Sequence, residues 1–384
     1  MKVLVVHNRY QLAGGEDAVV DAEVALLKDR GVDVRSYERH NDDIQRMGRG
    51  AAALQALWSK QTVRDLSALM GQWRPDVIHV HNTLSLVSPS IYWVADKWKV
   101  PVVQTLHNFR LLCPQGMLLR DEHVCERCVG KPVAWPAVVH GCYRESALQS
   151  AVLAGLVAAQ RGMGTYSKKV ARFIALNEFC KAKFVEGGLP ADKLVVKPNF
   201  VDLSVPDVAV SRVGGVFVGR LSHEKGVATL VQAKLAAADM PVKVIGSGPM
   251  ESKVRAAFGS DALGFLRLPD IVQQMRSAAF LVLPSICYEN FPRTIVEAFA
   301  CGLPVIASRM GSMAELVKDQ ETGLLFNPGD AQDLIRKVQW AQAHPEEMSQ
   351  MGRNARYQYE QEFNADVNFD RLMAIYQEAM AVTI

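Results

Sequence analysis

The sequence predicts an α/β protein made of two doubly wound domains, and three observations carry that reading. Short apolar runs alternate with amphipathic segments of helical period along almost the whole chain, the pattern of parallel sheets covered on both faces. The alternation breaks and restarts near Val213, after a stretch from Lys197 to Gly215 with two prolines and little helical period. That stretch reads as a linker. The length, 384 residues, is long for one core and comfortable for two.

In the first half the strands are expected at "KVLVVHN", "DVRSYER", "DVIHVHN", "PVVQTLHN" and "RFIALN", with helices near 15–30, 50–72, 89–98, 147–168 and 178–187. In the second half they are expected at "GGVFVGR", "VKVIGSG", "GFLRLP", "AFLVLPS", "PVIAS" and "GLLF", and the tail from Asp366 reads as a final helix. Ligands of open α/β sheets bind beyond the carboxyl ends of the strands. A cleft between two such domains is therefore the expected site, and the loops after the strands are where chemistry is sought.

Bulk properties narrow the classes. Apolar residues make up 49%, charged residues 22%, and the net charge is +3. That charge is too small to imply a nucleic-acid partner. "MKVLVVHN" is too short for a secretory leader. The apolar-leaning stretch Ala147 to Gln160 falls short of the ~20 residues of a membrane span. A soluble, cytoplasmic protein is expected, whose seven cysteines are thiols or metal ligands rather than disulfides.

Chemistry-bearing residues cluster after the strands of the second half. "CYENFPRTIVEAFACGLPVIAS" carries Glu289 and Glu297 on either side of a helix start at Phe291-Pro292, with Asn290 as the expected cap. The free N–H groups there suit a phosphate. A carboxylate on each side suits hydroxyl groups, so hexose, diphosphate and ribose would fit in sequence. The spacing by itself leaves open that both acids are surface or capping residues. "VFVGRLSHEKG" sets Arg220 and Lys225 on one strand-to-helix loop, where a fork and a point charge can share one diphosphate. A solvated basic turn is the alternative. "VIGSGP", with Gly246 and Gly248, is a further glycine loop of weak specificity. In the first half, Gly14-Gly15 follows the first strand, as a close backbone approach to a ligand or a tight turn. His107 ends another strand.

Together, "GGE" at 14–16, "RPDVIHVHN" at 74–82, "TLHN" at 105–108, "GRLSHEKG" at 219–226 and the E-x7-E element from Glu289 to Glu297 resemble family 4 of the retaining glycosyltransferases. The resemblance covers nearly the whole chain. It implies the GT-B fold: an acceptor-side domain over 1–198, a nucleotide-sugar domain over 199–365, and a helix over 366–384 packing back on the first. It implies that Glu289 contacts the donor sugar, Glu297 the ribose, and Arg220 and Lys225 the diphosphate. His107 would lie near the sugar, with Asn290, Phe291 and Pro292 helping to hold sugar and phosphate. The favoured donor is a UDP-sugar, with GDP-mannose as the alternative, and the acceptor a glycan or lipid-linked saccharide of surface polysaccharide assembly. Retention by front-face attack is implied. No strand-ending D-x-D is present, so no metal is expected in the chemistry. "PNFVD" departs from the family's "PNGVD" at Phe200, and "GGED" from "GGAE".

Two further stretches carry expectations. Cys113, Cys125, Cys128 and Cys142 lie between Arg110 and Ser146 in a C-x11-C-x2-C-x13-C spacing. Four thiolates with such a knuckle suit a tetrahedral structural zinc. His123 or His140 is a substitute ligand, and buried thiols or a redox pair are the alternatives. Ile44 to Asp76 mixes Arg46, Arg49, Lys60 and Arg64 with Trp58 and Trp73. This is a helix for an anionic membrane surface, or an ordinary helix with one core face. Two other readings of the whole chain are a nucleotide-sugar epimerase of the same fold and a non-catalytic zinc-containing binding protein. The "GRL…K" and E-x7-E pairing weighs against the epimerase. The intact Arg220, Lys225, Glu289 and Glu297 weigh against the binding protein.

Overall fold

A computed structural model describes residues 1–11, 14–203, 205, 211–237 and 239–382. It divides into two compact units: Met1–Met117, Glu126–Asn199 and Asn368–Ile384 form one, and Leu118–Cys125 with Phe200–Val367 the other. Each is a doubly wound, Rossmann-like layer structure of the GT-B kind.

In the N-terminal unit the strands are β1 (Lys2–Arg9), β2 (Asp33–His40), β3 (Val77–Val80) and β4 (Val102–Thr105). A short antiparallel hairpin, β5 (Leu119–Arg120) with β6 (His123–Val124), clusters with the other unit. Then come β7 (Arg172–Ala175) and β8 (Leu194–Val196). The sheet order is β2-β1-β3-β4-β7-β8, and every pair is parallel. β3 and β4 are buried along their whole length, as their unbroken apolar character requires. The order reverses at β1, so the crevice for a ligand falls between the carboxyl ends of β1 and β3.

The second sheet consists of β9 (Gly215–Val218), β10 (Val242–Ile245), β11 (Ala262–Gly264), β12 (Phe280–Leu283), β13 (Val305–Ser308) and β14 (Gly323–Phe326). Its order is β11-β10-β9-β12-β13-β14, again all parallel. Here the switch point falls between β9 and β12. The last helix, Ala365–Val382, buries Leu372, Ile375, Tyr376 and Ala379 in the same core as Val3, Val5 and Val77.

Several elements differ from the sequence expectation. β8 is an edge strand of three residues that apolar pattern did not single out. "GFLRLP" is not a strand: β11 ends at Gly264, and Pro269 sits in the first turn of the helix Leu268–Ser277, where its missing N–H does no harm. The helix expected over 50–72 is two, Arg49–Leu57 and Lys60–Gln72, because Ser59 turns its side chain back to accept from the Thr62 amide at 3.1 Å. The one expected over 147–168 breaks at Gly164, whose φ of 74° is left-handed. At the crossover, Phe200 is buried and keeps a negative φ, so this turn has no need of glycine.

Candidate functional site

In the C-terminal unit the loop after β9 carries Arg220 and Lys225 to the switch point. Gly226 makes this placement possible. Its φ is 68°, and a Cβ there would lie 1.7 Å from the Pro284 carbonyl oxygen at the end of β12. The Ile286 amide donates to the Glu224 carbonyl at 3.0 Å, which closes the two loops on each other. Lys225 Nζ then meets Glu289 Oε1 at 2.6 Å, and Ser285 Oγ donates to the same oxygen at 2.8 Å. Burial pulls the Lys225 ammonium down, but Glu289 outweighs it and the net direction is up. Arg220 stands exposed beside this pair.

The helix after the pair runs Arg293–Ala300, and its N-cap is Pro292, with no side-chain cap. The expectation that Asn290 caps it is therefore corrected: the helix starts two residues too late for that side chain to do so. Phe291 is buried and packs edge-on against Phe363 at 6.1 Å. Glu297 is one turn into the helix, 3.8 Å from Arg293, and burial raises its carboxyl above the usual range. Gly246 and Gly248, at φ of 143° and 154°, have a packing duty. A Cβ on Gly246 would lie 1.9 Å from the Gly219 carbonyl oxygen, and one on Gly248 2.6 Å from that of Leu221. Thus Arg220, Lys225, Glu289, Asn290, Phe291, Pro292 and Glu297 all lie at or near one switch point, with the glycine loop beside them.

At the N-terminal switch point the chemistry is different. His107, half-buried after β4, stacks on His81 with ring centroids 5.2 Å apart, and His81 Nδ1 lies 2.9 Å from His107 Nε2. His79 lies 4.2 Å from His81 between ring centroids. Its nitrogens reach the Tyr376 hydroxyl at 2.7 Å and the Thr105 hydroxyl at 2.8 Å. His7 bonds Asp17 at 2.8 Å. Glu23 lies beneath, its Oε1 2.9 Å from His79 and 3.3 Å from His81, and its Oε2 3.2 Å from Lys197 Nζ. Burial lowers His81 to about 4, with His79 adding to the effect, and it holds His107 well below the usual range. Both rings are neutral near pH 7. Burial pushes Glu23 up, but Lys197 and His79 bring it well below the ordinary carboxylate range.

Sequence reading singled out only His107 from this cluster. A signal for the rest was present: the dipeptide His-Asn recurs at 7–8, 40–41, 81–82 and 107–108, at the carboxyl ends of β1 to β4. The strand period of two also puts His79 and His81 on one face. The asparagines tie the loops: Asn8 donates to Asn41 at 2.8 Å and accepts from the Leu86 amide at 2.8 Å. Gly14 and Gly15 open the helix Gly15–Asp29, where the Asp17 carboxylate accepts from the Gly14 amide at 3.0 Å. A Cβ at either glycine would meet nothing within 4 Å.

The expected zinc site finds no support among the described residues. Among the described residues, the metal-ligating atoms that gather in a group of three within 4.8 Å are those of Glu23, His79 and His81. Cys113, Cys128 and Cys142 share the N-terminal unit without forming such a group, and Cys125 clusters with the other unit. The Glu23 group is itself a poor cation site, since the Lys197 ammonium already supplies the positive charge. Trp73 is no membrane anchor: it is buried, and its indole donates to Asp33 at 2.9 Å.

Comparison with known proteins fits this geometry. Residues 13–205 match the model of "Glycosyltransferase Family 4", and residues 215–358 that of "Glycosyl transferases group 1". The chain belongs to glycosyltransferase family 4. Within the family it is 31% identical to the D-rhamnosyltransferase WbpZ of Pseudomonas aeruginosa over 158 residues, 39% of this chain and 41% of that one. It is 27% identical to the 2-deoxystreptamine glucosyltransferase of Streptomyces kanamyceticus over 307 residues, 75% and 74% of the two chains. The chain thus spans less than half of WbpZ. Among solved structures, Anabaena HepE in complex with UDP superposes with a TM-score of 0.66 at 18% identity, covering 98% of this chain and all of that one. Sucrose-phosphate synthase of Thermosynechococcus elongatus gives 0.71 at 19%, covering 99% of each. At such identities these two speak for the fold alone. No described helix is long and apolar enough to cross a membrane.

Proposed function

We propose that this protein is a retaining glycosyltransferase that moves a hexosyl group from a nucleotide diphosphate sugar to a glycan or lipid-linked saccharide in surface polysaccharide assembly. The observation that carries the reading is the Lys225–Glu289 pair at 2.6 Å, set at the β9/β12 switch point beside Arg220 and a helix start. Lys225 and Arg220 receive the leaving diphosphate, and the amides at the start of Arg293–Ala300 face its oxygens. Both bonds of Glu289 fall on Oε1, which leaves Oε2 for a sugar hydroxyl. Glu297, desolvated one turn on, serves the ribose. The neutral His107, backed by His81, orients the sugar or acceptor hydroxyl without adding charge. The leaving phosphate takes the acceptor proton on the same face of the sugar, and the protein supplies orientation and charge stabilisation. Arg220 and Lys225 take the part that a metal ion has in other transferases.

A UDP-sugar is the first donor to try. HepE has been solved with UDP and with UDP-glucose, and the relative AmsK of Erwinia amylovora is named for amylovoran biosynthesis. Peripheral contact with an anionic membrane on the cytoplasmic side rests on exposed Leu54, Trp58, Trp135 and Leu148, residues of the N-terminal unit.

The test is a panel of UDP-, GDP-, ADP- and dTDP-sugars, read by melting temperature and by slow hydrolysis, with and without chelator. One nucleotide sugar is expected to stabilise the protein and to be hydrolysed in chelator. Failure of every sugar to bind would sink the reading. Anomer assignment of the transfer product by NMR decides retention.

A further inference from the structure

A second cavity lies wholly within the N-terminal unit, about 600 Å³ in volume, large enough for a saccharide. Tyr10 and Asn41 approach it from the ends of β1 and β2. Arg110 comes from the turn after β4, and Tyr143 and Arg144 from the end of the cysteine-bearing insertion. Its described lining holds two arginines and no acid. The arginines flank one ring: the Arg110 guanidinium lies 5.8 Å and that of Arg144 5.3 Å from the centroid of Tyr143. One donor of Arg110 lacks a protein partner. Its Nε is buried with no hydrogen-bond partner, and a buried unpaired guanidinium nitrogen is expensive unless an acceptor arrives. Glu16, whose charge is felt by Arg110, accepts from the Tyr10 hydroxyl at 2.9 Å, and burial raises its carboxyl to about 7. Near pH 7 it therefore offsets the arginines only in part.

We propose that this cavity is the seat of an oxyanion-bearing saccharide acceptor, with the phosphate or carboxylate on Arg110 and Arg144 and a sugar ring on Tyr143. Planar guanidinium forks match both oxyanions, and the Tyr143 ring beside them offers apolar surface to a sugar. The insertion thereby gains a role in acceptor selection that does not depend on metal. The inference rests on the transferase reading given above and narrows its acceptor class.

The experiment titrates full-length protein with glucose 1-phosphate, glucuronate and neutral methyl glucoside, read by ligand-observed NMR. Both anions, or one of them, are expected to bind more tightly than the neutral sugar; which one does separates a phosphoryl from a uronate acceptor. Arg144→Ala and Arg110→Gln are each expected to weaken the anion on the order of 10-fold. Lys225→Ala, at the other switch point, serves as the control for binding in the donor site. Arg144 is exposed, so its variant will fold; melting temperature checks the Arg110 variant. Equal binding of charged and neutral sugars, or anion binding lost with Lys225→Ala but kept with Arg144→Ala, would overturn the proposal. Those results would leave the donor panel untouched, whereas a failed donor panel would leave anion binding at Arg110 and Arg144 to be read on its own.

Discussion

The two switch points use one topological device for opposite electrostatic ends. At β9/β12 the ions stay partly solvated: the Lys225 and Glu289 side chains are 29% and 13% exposed. Arg220 is exposed. At β1/β3 the groups are drawn inward. The His79 and His81 side chains are fully buried, with Glu23 at 2% and Lys197 at 1%, and burial keeps His81 and His107 neutral. One half keeps its ions near the surface and the other holds its rings in place without charge. Preorganised dipoles work best where charge develops, and neutral rings work best where a hydroxyl must be oriented.

Breaking the charged half should have the largest effect. Lys225→Ala removes the cation and leaves Glu289 with Ser285 alone, so transfer is expected to fall on the order of 100-fold or more, measured as kcat/KM. An activity within a few-fold of wild type would remove Lys225 from the site. Gly226→Ala acts on the same half through the backbone, since a Cβ meets Pro284 at 1.7 Å. A loss of about 2 kcal/mol or more is expected in denaturant unfolding. In the buried half, Tyr376→Phe deletes the hydroxyl bonded to His79. It should cost about 1–2 kcal/mol and raise the KM of the acceptor if the cluster positions His107.

The pH dependence sharpens the contrast. His7, His81 and His107 all have folded values below their ordinary 6.5. Below that pH the unfolded chain takes up protons that the folded rings refuse, so stability should drop as the pH falls from about 6.5 toward about 4. Glu16 acts in the other direction. Its carboxyl is raised from 4.5 to about 7, so between those values the folded chain keeps a proton the unfolded one has released. Its contribution is lost as the pH rises. Glu16→Gln should therefore gain melting temperature over wild type progressively from pH 5 to 8, by a few degrees. A constant gap would show that Glu16 is ionised throughout. The smallest effect belongs to Gly15→Ala, where a Cβ meets nothing. Stability should stay within about 0.5 kcal/mol, so any fall in kcat/KM would report a ligand against that backbone.

The alternation of apolar strands and helices, the break near Val213 and the residues of the C-terminal site were legible in the sequence. Each rests on local chemistry: strand composition, glycine after a strand, an acid beside a helix start. Arg220, Lys225, Glu289 and Glu297 could be singled out because they lie in two short stretches that follow strands. The histidine cluster was not, since Glu23, His79, Lys197 and Tyr376 come from four separate stretches that meet only when the sheet closes and the last helix packs on it. Cysteine spacing likewise says little about a compact ligand group, and among the described residues the thiols form none within 4.8 Å. Spacing says how far apart cysteines are along the chain, whereas the fold of the insertion decides whether their thiols meet. Periodicity and turn chemistry are properties of neighbours in sequence, and they fixed the elements and the anion-facing loops. Burial, which sets the charge of His81, and the meeting of Arg110, Tyr143 and Arg144 at one cavity are properties of neighbours in space.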